Sequence, residues 1–159
     1  MSDDGALRDA ETGLLNAAFF RAALPNRIAT ARRVLRPISV VLLTLGDREA
    51  VPGRCAPEVA TAVAEGLRET LRESDTACRM DDGGFAVVLE DTPEDGAVWT
   101  VERLRRFLAD QDIHVTVWAG VSCYPAHALE TPEILARAEA ALTMAMEWSQ
   151  SRIEVAVPE

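Results

Sequence analysis

Two acidic residues and two glycines stand together in mid-chain, in the stretch CRMDDGGFAVVLED that runs from Cys78 to Asp91. Carboxylate oxygens are the ligands that Mg²⁺ prefers, so Asp81 and Asp82 could contribute to a metal site. Adjacent acids rarely converge on one ion without further ligands, whereas Asp followed by Gly is typical of a tight turn between strands. We therefore favour a two-residue hairpin turn over a new metal site.

Cysteines and histidines, the usual nucleophiles and zinc ligands, are few and scattered. The chain has Cys55, Cys78, Cys123, His114 and His127, with no CxxC pair and no zinc-ligand spacing. We interpret His127 as an ordinary loop residue without a nucleophile beside it. Cys78 and Cys123 lie in apolar strand contexts, which favours small core residues. Free thiols and the lack of an apolar N-terminal signal predict a cytoplasmic location.

The charge composition excludes several classes of partner. The chain has 16 basic and 26 acidic residues, and its net charge is −10. Because nucleic acids and anionic membranes are bound largely through their phosphates, we expect neither as a partner. All 16 basic residues are Arg, so no lysine can clamp a phosphate or act as a general base. No apolar run reaches the length of about 18 residues that suggests a membrane span.

The remaining sequence predicts alternating helices and strands. Apolar residues at helical spacing over 16–36 predict two helices divided at Pro25. A helix is also expected to begin with Thr92 as N-cap and Pro93 at its first position. Further helices are predicted at 58–74 and 131–150, and strands at 37–45, 75–80, 85–90, 112–125 and 152–157.

These elements predict an α/β (α+β) sandwich with a central, mainly antiparallel five-stranded sheet flanked by helices. A parallel doubly wound fold fits poorly, because the two central strands form a direct hairpin. We expect a single domain over residues 1–159, folded over 9–157, with residues 1–8 as a flexible lead.

Several large side chains have a predicted environment. Spacing along a helix or strand predicts that Trp99, Leu104, Phe107 and Trp118 lie in the core. Arg103, Arg105 and Arg106 are typical of a solvated helix face. The alternate spacing of Met144, Met146 and Trp148 spreads them around their helix, so at least one should be near the surface, where Met and Trp favour protein contacts.

The element order and four sequence segments resemble the GGDEF domain of diguanylate cyclases. DAETGLLNAAFF, from Asp9 to Phe20, is similar to the opening motif D-x-L-T-G-L-x-N-R-R-x-F. LRESDTACRMDDGGFAVVLEDT resembles L-R-x-x-D, five residues and then G-G-D-E-F. VTVWAGVSCYP and ILARAEAALTMAMEWSQSRIEV resemble the strand, helix and strand that close the family's domain. The resemblance extends to about Val155 and implies a GGDEF, nucleotidyl-cyclase-like fold.

The five signature positions have departed from the family pattern. They are occupied by Asp81, Asp82, Gly83, Gly84 and Phe85, of which only Phe85 matches. The family joins two GTP molecules into cyclic di-GMP with the help of metal ions held by carboxylates. The resemblance implies that Thr44 and Gly84 stand where two of these metal-binding carboxylates belong.

Other positions of the implied nucleotide site have departed in the same way. Glu49 and Met146 stand where the family has phosphate-side lysines, and Pro52 and Pro57 where it has guanine-reading Asn and Asp. The resemblance therefore implies a degenerate, inactive domain with no catalytic residue, no metal site and no cofactor. Mg²⁺ would be needed only if activity were retained.

One family site is retained, the R-x-x-D motif formed by Arg72 and Asp75, five residues before the signature. The resemblance implies an inhibitory-type site for cyclic di-GMP, at which Arg72 would contact a phosphate or guanine, Asp75 would accept from guanine and Arg79 would assist. The alternative is a solvated helix end followed by the start of a strand.

Three hypotheses follow. The first is an inactive signalling or protein-interaction module that meets a protein partner or a second copy of itself. The second is a cyclic di-GMP effector that uses Arg72, Asp75 and Arg79. The third, least supported by the residues, is a residual diguanylate cyclase.

Overall fold

In the computed structural model, which describes residues 6–157, the chain forms one mixed sheet with helices on both faces. The strands are β1 (Leu15–Asn16), β2 (Ile38–Gly46), β3 (Thr76–Arg79), β4 (Phe85–Glu90), β5 (Thr116–Tyr124) and β6 (Arg152–Val155). The helices are α1 (Ala17–Val34), α2 (Pro57–Thr70), α3 (Glu94–Asp110) and α4 (Thr131–Ala145).

The sheet has six strands in the order β1-β3-β4-β2-β5-β6. The four central strands pair antiparallel, and each edge pair, β1 with β3 and β5 with β6, is parallel. The predicted α/β sandwich is confirmed. The prediction of five strands missed β1, because two residues carry no periodic pattern.

Strand β2 separates two hydrophobic clusters, one on each face of the sheet. Val41 and Leu43 pack with residues of α2 and α3, whereas Val40 and Leu42 pack with residues of α1 and α4. Because side chains alternate along a strand, a strand covered by helices on both faces reads as a continuous apolar run. This explains the PISVVLLTL segment at the centre of the molecule.

Helix α1 runs without interruption through Pro25, so the prediction of two helices is wrong. Phe20, Leu24 and Ile28 are all buried and form one stripe that continues past the proline. Pro25 lies on the exposed side, where the carbonyl freed by its missing N–H can meet solvent. Packing of the apolar stripe therefore outweighs the local cost of the proline.

Trp99 is 59% exposed, contrary to the expectation that it lies in the core. The inward face of α3 is occupied by Ala97, Val101, Leu104 and Leu108, and Trp99 lies two residues away from Ala97 and Val101. Its ring stacks instead against Arg103, whose guanidinium carbon lies 4.8 Å from the ring centroid. Trp118 is fully buried, as predicted.

Part of the predicted lead, residues 1–5, lies outside the described residues, whereas Arg8 forms a β-bridge with Leu15. Among residues 6–157, none of the helices combines the length and apolar character needed to cross a membrane.

Candidate functional site

The hairpin between β3 and β4 is closed by a three-residue loop, not by the predicted two-residue turn. The Met80 N–H donates to the Gly84 carbonyl at 2.8 Å, and the Gly83 N–H donates to the Met80 carbonyl at 3.0 Å. Gly83 has φ +89°, the left-handed conformation that closes loops of this length. Asp82 Oδ1 accepts the Gly84 N–H at 2.9 Å. Gly83 therefore supplies the left-handed conformation that the loop needs, and the Asp82 side chain stabilises the loop by its hydrogen bond to Gly84.

Two adjoining clefts of about 320 and 260 Å³ lie beside this hairpin and share Thr44, Asp82, Gly84 and Leu142. We call them together the signature cleft. The remaining lining residues include the charged Arg21 and Glu139, together with Phe20, Leu42, Met80, Leu135, Pro52, Cys55 and Met146. The structure thus brings together four residues that the resemblance placed in one nucleotide site, namely Thr44, Gly84, Pro52 and Met146. Glu49 and Pro57 do not line the cleft.

Gly84 is enclosed by backbone. A Cβ atom at this position would lie 2.6 Å from the carbonyl oxygen of Leu43 and 3.1 Å from Asp82 Oδ1. Real Cβ atoms do not approach a backbone oxygen at 2.6 Å, so the hairpin would have to move before any side chain could be accommodated. The position lacks a carboxylate and also lacks the space for one.

The residues of the signature cleft do not fit Mg²⁺. This ion needs about six oxygen ligands in near-octahedral geometry. Asp82 already accepts a backbone N–H, and Asp81 lies on the exposed side of the loop, 3.5 Å from Arg21. Over residues 6–157, no three Asp, Glu, His or Cys side chains are grouped so that they could hold a metal ion.

Arg72 and Asp75 meet in a compact arrangement that we call the R-x-x-D corner. The Asp75 side chain is only 4% exposed, and its two oxygens accept the backbone N–H groups of Arg72 at 3.0 Å and Glu90 at 3.2 Å. The Arg72 guanidinium donates to the Glu90 carbonyl at 2.5 Å and to Thr92 Oγ1 at 2.8 Å. Thr92 is therefore not the predicted N-cap of α3, a position held by Pro93.

Arg79 belongs to a different cluster, at the opposite end of β3 from Asp75. Its side chain is 13% exposed and lies against the N-terminal segment that contains Asp9 and Glu11. It contacts the carboxylates of Asp9 at 3.6 Å and Glu11 at 2.9 Å, and it donates to the Gly83 carbonyl at 3.0 Å. The predicted trio is thus divided into a corner with two of its members and a separate arginine.

The sequence interpretation missed two arginines beside the R-x-x-D corner. Arg8, Arg68 and Arg72 line one cleft of about 320 Å³. Arg8 donates to the Gly13 carbonyl at 3.0 Å, and Arg68 donates to the Thr12 carbonyl at 2.6 Å. The helix predicted over 58–74 places Arg68 and Arg72 on one face, a signal that could have identified Arg68, although α2 ends at Thr70.

The buried thiols and His127 form no nucleophilic pair. Burial raises the pKa of Cys78 to about 12 and that of Cys123 to about 11, which keeps both protonated at neutral pH. His127 is buried, contrary to the interpretation as an ordinary loop residue. Its Nδ1 accepts the Cys123 backbone N–H at 2.9 Å, and its Nε2 lies 2.9 Å from Glu94. The imidazole therefore holds a loop in place.

The end of α4 carries exposed apolar residues, as predicted. Met144 is 51% and Trp148 44% exposed, while Met146 lines the signature cleft. The Trp148 ring stacks against Arg152, with the guanidinium carbon 4.3 Å from its centroid. Exposed Met and Trp side chains offer apolar contact area to another molecule, although neither Met144 nor Trp148 lines the signature cleft.

Comparison with known proteins gives matches over almost the whole described chain. The family model for the GGDEF domain of diguanylate cyclases matches residues 6–152. The diguanylate cyclase DosC of Escherichia coli (strain K12) is 23% identical over 92% of this chain, which spans about a third (34%) of the length of DosC.

Solved structures show the same fold. The GGDEF domain of DgcB from Caulobacter crescentus, in complex with c-di-GMP, superposes with a TM-score of 0.81 at 20% identity, covering 98% of this chain and 96% of that domain. The diguanylate cyclase SiaD of Pseudomonas aeruginosa, in complex with its activator SiaC, has a TM-score of 0.81 at 21% identity, covering 97% of this chain and 63% of SiaD.

Proposed function

Because the chain belongs to the GGDEF domain family of diguanylate cyclases, we propose that it is a catalytically inactive member that acts as a signalling or protein-interaction module in the cytoplasm. The observation that carries this proposal is Gly84, the residue at the fourth signature position. It supplies no carboxylate, and a Cβ there would lie 2.6 Å from the Leu43 carbonyl oxygen. Without metal ligands, the charge on the reacting phosphates has no compensation.

The charge and polarity of the signature cleft support the same conclusion. Pro52 and Met146 offer no side-chain hydrogen bond to a base or a phosphate. Asp82 and Glu139 line the cleft with two negative charges against the one positive charge of Arg21, a balance that disfavours a triphosphate. The cleft would therefore neither attract the phosphates of GTP nor recognise its base specifically.

The direct test is incubation of the purified protein with GTP and either Mg²⁺ or Mn²⁺, with an active diguanylate cyclase assayed in parallel. We expect no cyclic di-GMP from this chain under conditions in which the active enzyme converts its substrate. Product formation that scales with protein concentration and survives repurification would overturn the proposal.

A protein contact at the signature cleft is the second part of the proposal. Its lining includes Leu42, Leu142 and Met146 beside the charged Arg21, Asp82 and Glu139. Exposed Met144 lies on α4, and exposed Trp148 lies shortly beyond the end of that helix. Aromatic and Met side chains of this kind supply the anchors of interfaces. The occupant we propose is a second copy of the chain, since symmetric dimers are the commonest assemblies. The GGDEF domain of DgcB is in complex with c-di-GMP, and SiaD, 63% of which this chain covers, is in complex with its activator SiaC.

Light scattering after size exclusion tests this contact. We expect wild type to dimerise, Met146→Lys to be monomeric and Leu35→Lys, at an exposed site on the end of α1, to behave as wild type. A wild-type monomer at every accessible concentration, with no partner recovered by crosslinking, would remove the protein-contact part of the proposal.

The alternative function is binding of cyclic di-GMP at the R-x-x-D corner. Its support is the cleft lined by Arg8, Arg68 and Arg72, which concentrates positive charge beside Asp75. Arg79 would contribute from the hairpin end of β3 only after leaving Asp9 and Glu11. Calorimetric titration with cyclic di-GMP distinguishes this function from the leading one.

A further inference from the structure

The largest of the clefts described lies away from both sites. It has a volume of about 420 Å³ and lies between the end of α3 and the start of β5. We call it the α3 cleft. Its polar lining consists of Arg48, Arg105, His114, Thr116 and Ser151, and its apolar lining of Leu108, Ala109, Ile113, Val115 and Val117.

The α3 cleft is separate from the signature cleft and lies on the α2 and α3 side of the sheet. Leu108 and Val117, which line it, belong to the hydrophobic cluster on the α2 and α3 side. Phe20 and Leu42, which line the signature cleft, belong to the cluster on the α1 and α4 side. The two clefts share no lining residue, so a ligand in one does not contact the lining of the other.

Arg48 brings an uncompensated positive charge to this cleft. Its side chain is exposed and has no ion pair or hydrogen bond within residues 6–157. Arg33 shares this lack of a partner, whereas arginines such as Arg27, Arg36 and Arg79 are held by carboxylates at 3.0 Å or less. A guanidinium on a cleft wall without a counter-ion is available to an anion.

The other polar groups of the cleft are only loosely engaged. Arg105 lies 3.4 Å from both oxygens of Glu102, longer than a charge-assisted hydrogen bond of about 2.8 Å. His114 pairs at 3.1 Å with Asp112, and both side chains are mostly exposed. The Ser151 hydroxyl accepts the Val117 N–H at 3.0 Å, which leaves its own hydrogen free to donate.

We propose that the α3 cleft binds a phosphate monoester that carries an aromatic or aliphatic body. Two guanidiniums and the hydroxyl of Ser151 offer more donors than one carboxylate can accept, whereas a phosphate monoester has three terminal oxygens and up to two negative charges. The apolar floor formed by Leu108 and Val117 would cover the body of the ligand. The volume lies within the range of about 300–1,000 Å³ that is usual for small-molecule sites. The ligand would compete with Glu102 for Arg105, so its affinity depends most on Arg48.

The test uses the full chain and phenyl phosphate as the probe, titrated by calorimetry at low ionic strength. We expect saturable binding that Arg48→Ala weakens about tenfold, the loss of one charge-assisted contact. Arg33→Ala is the matched control, because Arg33 is also an exposed arginine without an ion pair among the described residues and lies on α1. This control should bind as wild type.

The remaining arms separate the parts of the proposal. Inorganic phosphate and benzoate should both bind more weakly than phenyl phosphate, because each lacks either the apolar body or the third oxygen. Thermal melts of the variants should match wild type, since neither arginine holds a partner. No saturable binding of phenyl phosphate, equal loss in Arg33→Ala, or tighter binding of benzoate would each overturn the assignment.

Discussion

The R-x-x-D corner and the signature cleft lie at opposite ends of strands β3 and β4 and differ in how their polar groups are used. At the corner, Asp75 and Arg72 are satisfied by backbone groups of the protein itself. At the cleft, Gly84 engages the hairpin only through its backbone, which bonds to Asp82 and Met80, and Met146 has an apolar side chain. Arg72 and Asp75 at the corner therefore hold backbone segments together, whereas the side chains of Thr44 and Met146 line an open cleft.

This difference limits what a retained motif can indicate. Asp75 is required by the backbone of Glu90 whether or not a ligand binds, because a buried N–H without a partner is costly. The presence of R-x-x-D therefore has a structural explanation that is complete without cyclic di-GMP. A ligand at the corner has to use the outward face of Arg72 together with Arg8 and Arg68.

The largest expected effect is the loss of Asp75. Asp75→Ala should lower the free energy of unfolding by about 3 kcal/mol, because it leaves two backbone donors without an acceptor and removes the partner of Arg72. Asp82→Ala, which removes one acceptor from an exposed loop, should cost less than about 1 kcal/mol. Urea denaturation of both variants measures the difference. Equal costs would show that the corner is no more structural than the turn.

Binding of cyclic di-GMP, if calorimetry detects it, should depend on Arg72. Arg72→Ala should lower the affinity about tenfold to a hundredfold, since a charged contact is worth about 1.5–3 kcal/mol. Asp82→Ala should leave the affinity unchanged, because Asp82 lies at the other end of β4. Binding that is indifferent to Arg72 would remove the corner as the site.

A smaller effect on the free energy of unfolding is expected at Gly84, where a substitution tests whether the hairpin has room for a side chain. Gly84→Ala should destabilise the protein by about 1–3 kcal/mol, because its Cβ would lie 2.6 Å from the Leu43 carbonyl oxygen. Asp81→Ala on the same loop, with a side chain 81% exposed, should be nearly neutral. The double variant Thr44→Asp, Gly84→Glu should not acquire cyclase activity. An unchanged urea midpoint for Gly84→Ala would show that the hairpin backbone moves freely.

The fold was predictable to a greater extent than the site. The α/β sandwich, the hairpin and most strands follow from apolar periodicity, which reports burial directly. The passage of α1 through Pro25 could not be predicted, because it depends on the packing of one face of the helix across the whole turn. Trp99 points outward because other residues of α3 face the sheet. Tertiary contacts decide which residues those are, and spacing along the chain does not show them.

At the site, the sequence predicted which residues would meet but not what they would touch. Thr44, Gly84, Pro52 and Met146 do line one cleft. The enclosure of Gly84 by the Leu43 backbone and the internal bonds of Arg72 depend on distances across strands, which no spacing along the chain encodes.

The smallest expected effect is a difference in thiol reactivity, because the three cysteines differ in how deeply they are buried. Cys55 lines the signature cleft and is only partly buried, whereas Cys78 lies in the middle of β3 between the cleft and the corner. In the native protein at pH 8, a thiol reagent should label Cys55 alone. Labelling of Cys78 and Cys123 should require unfolding.

The pH dependence of stability follows from the same burial. Burial raises the pKa of Cys78 from its ordinary value of 9.0 to about 12, so the folded state holds a proton that the unfolded chain releases. This contribution is complete below pH 9 and is lost as the pH rises from 9 towards 12. The urea midpoint should therefore fall over this range, and Cys78→Ala should fall less steeply from a lower starting value. A parallel decline in wild type and variant would show that Cys78 does not control the alkaline limit.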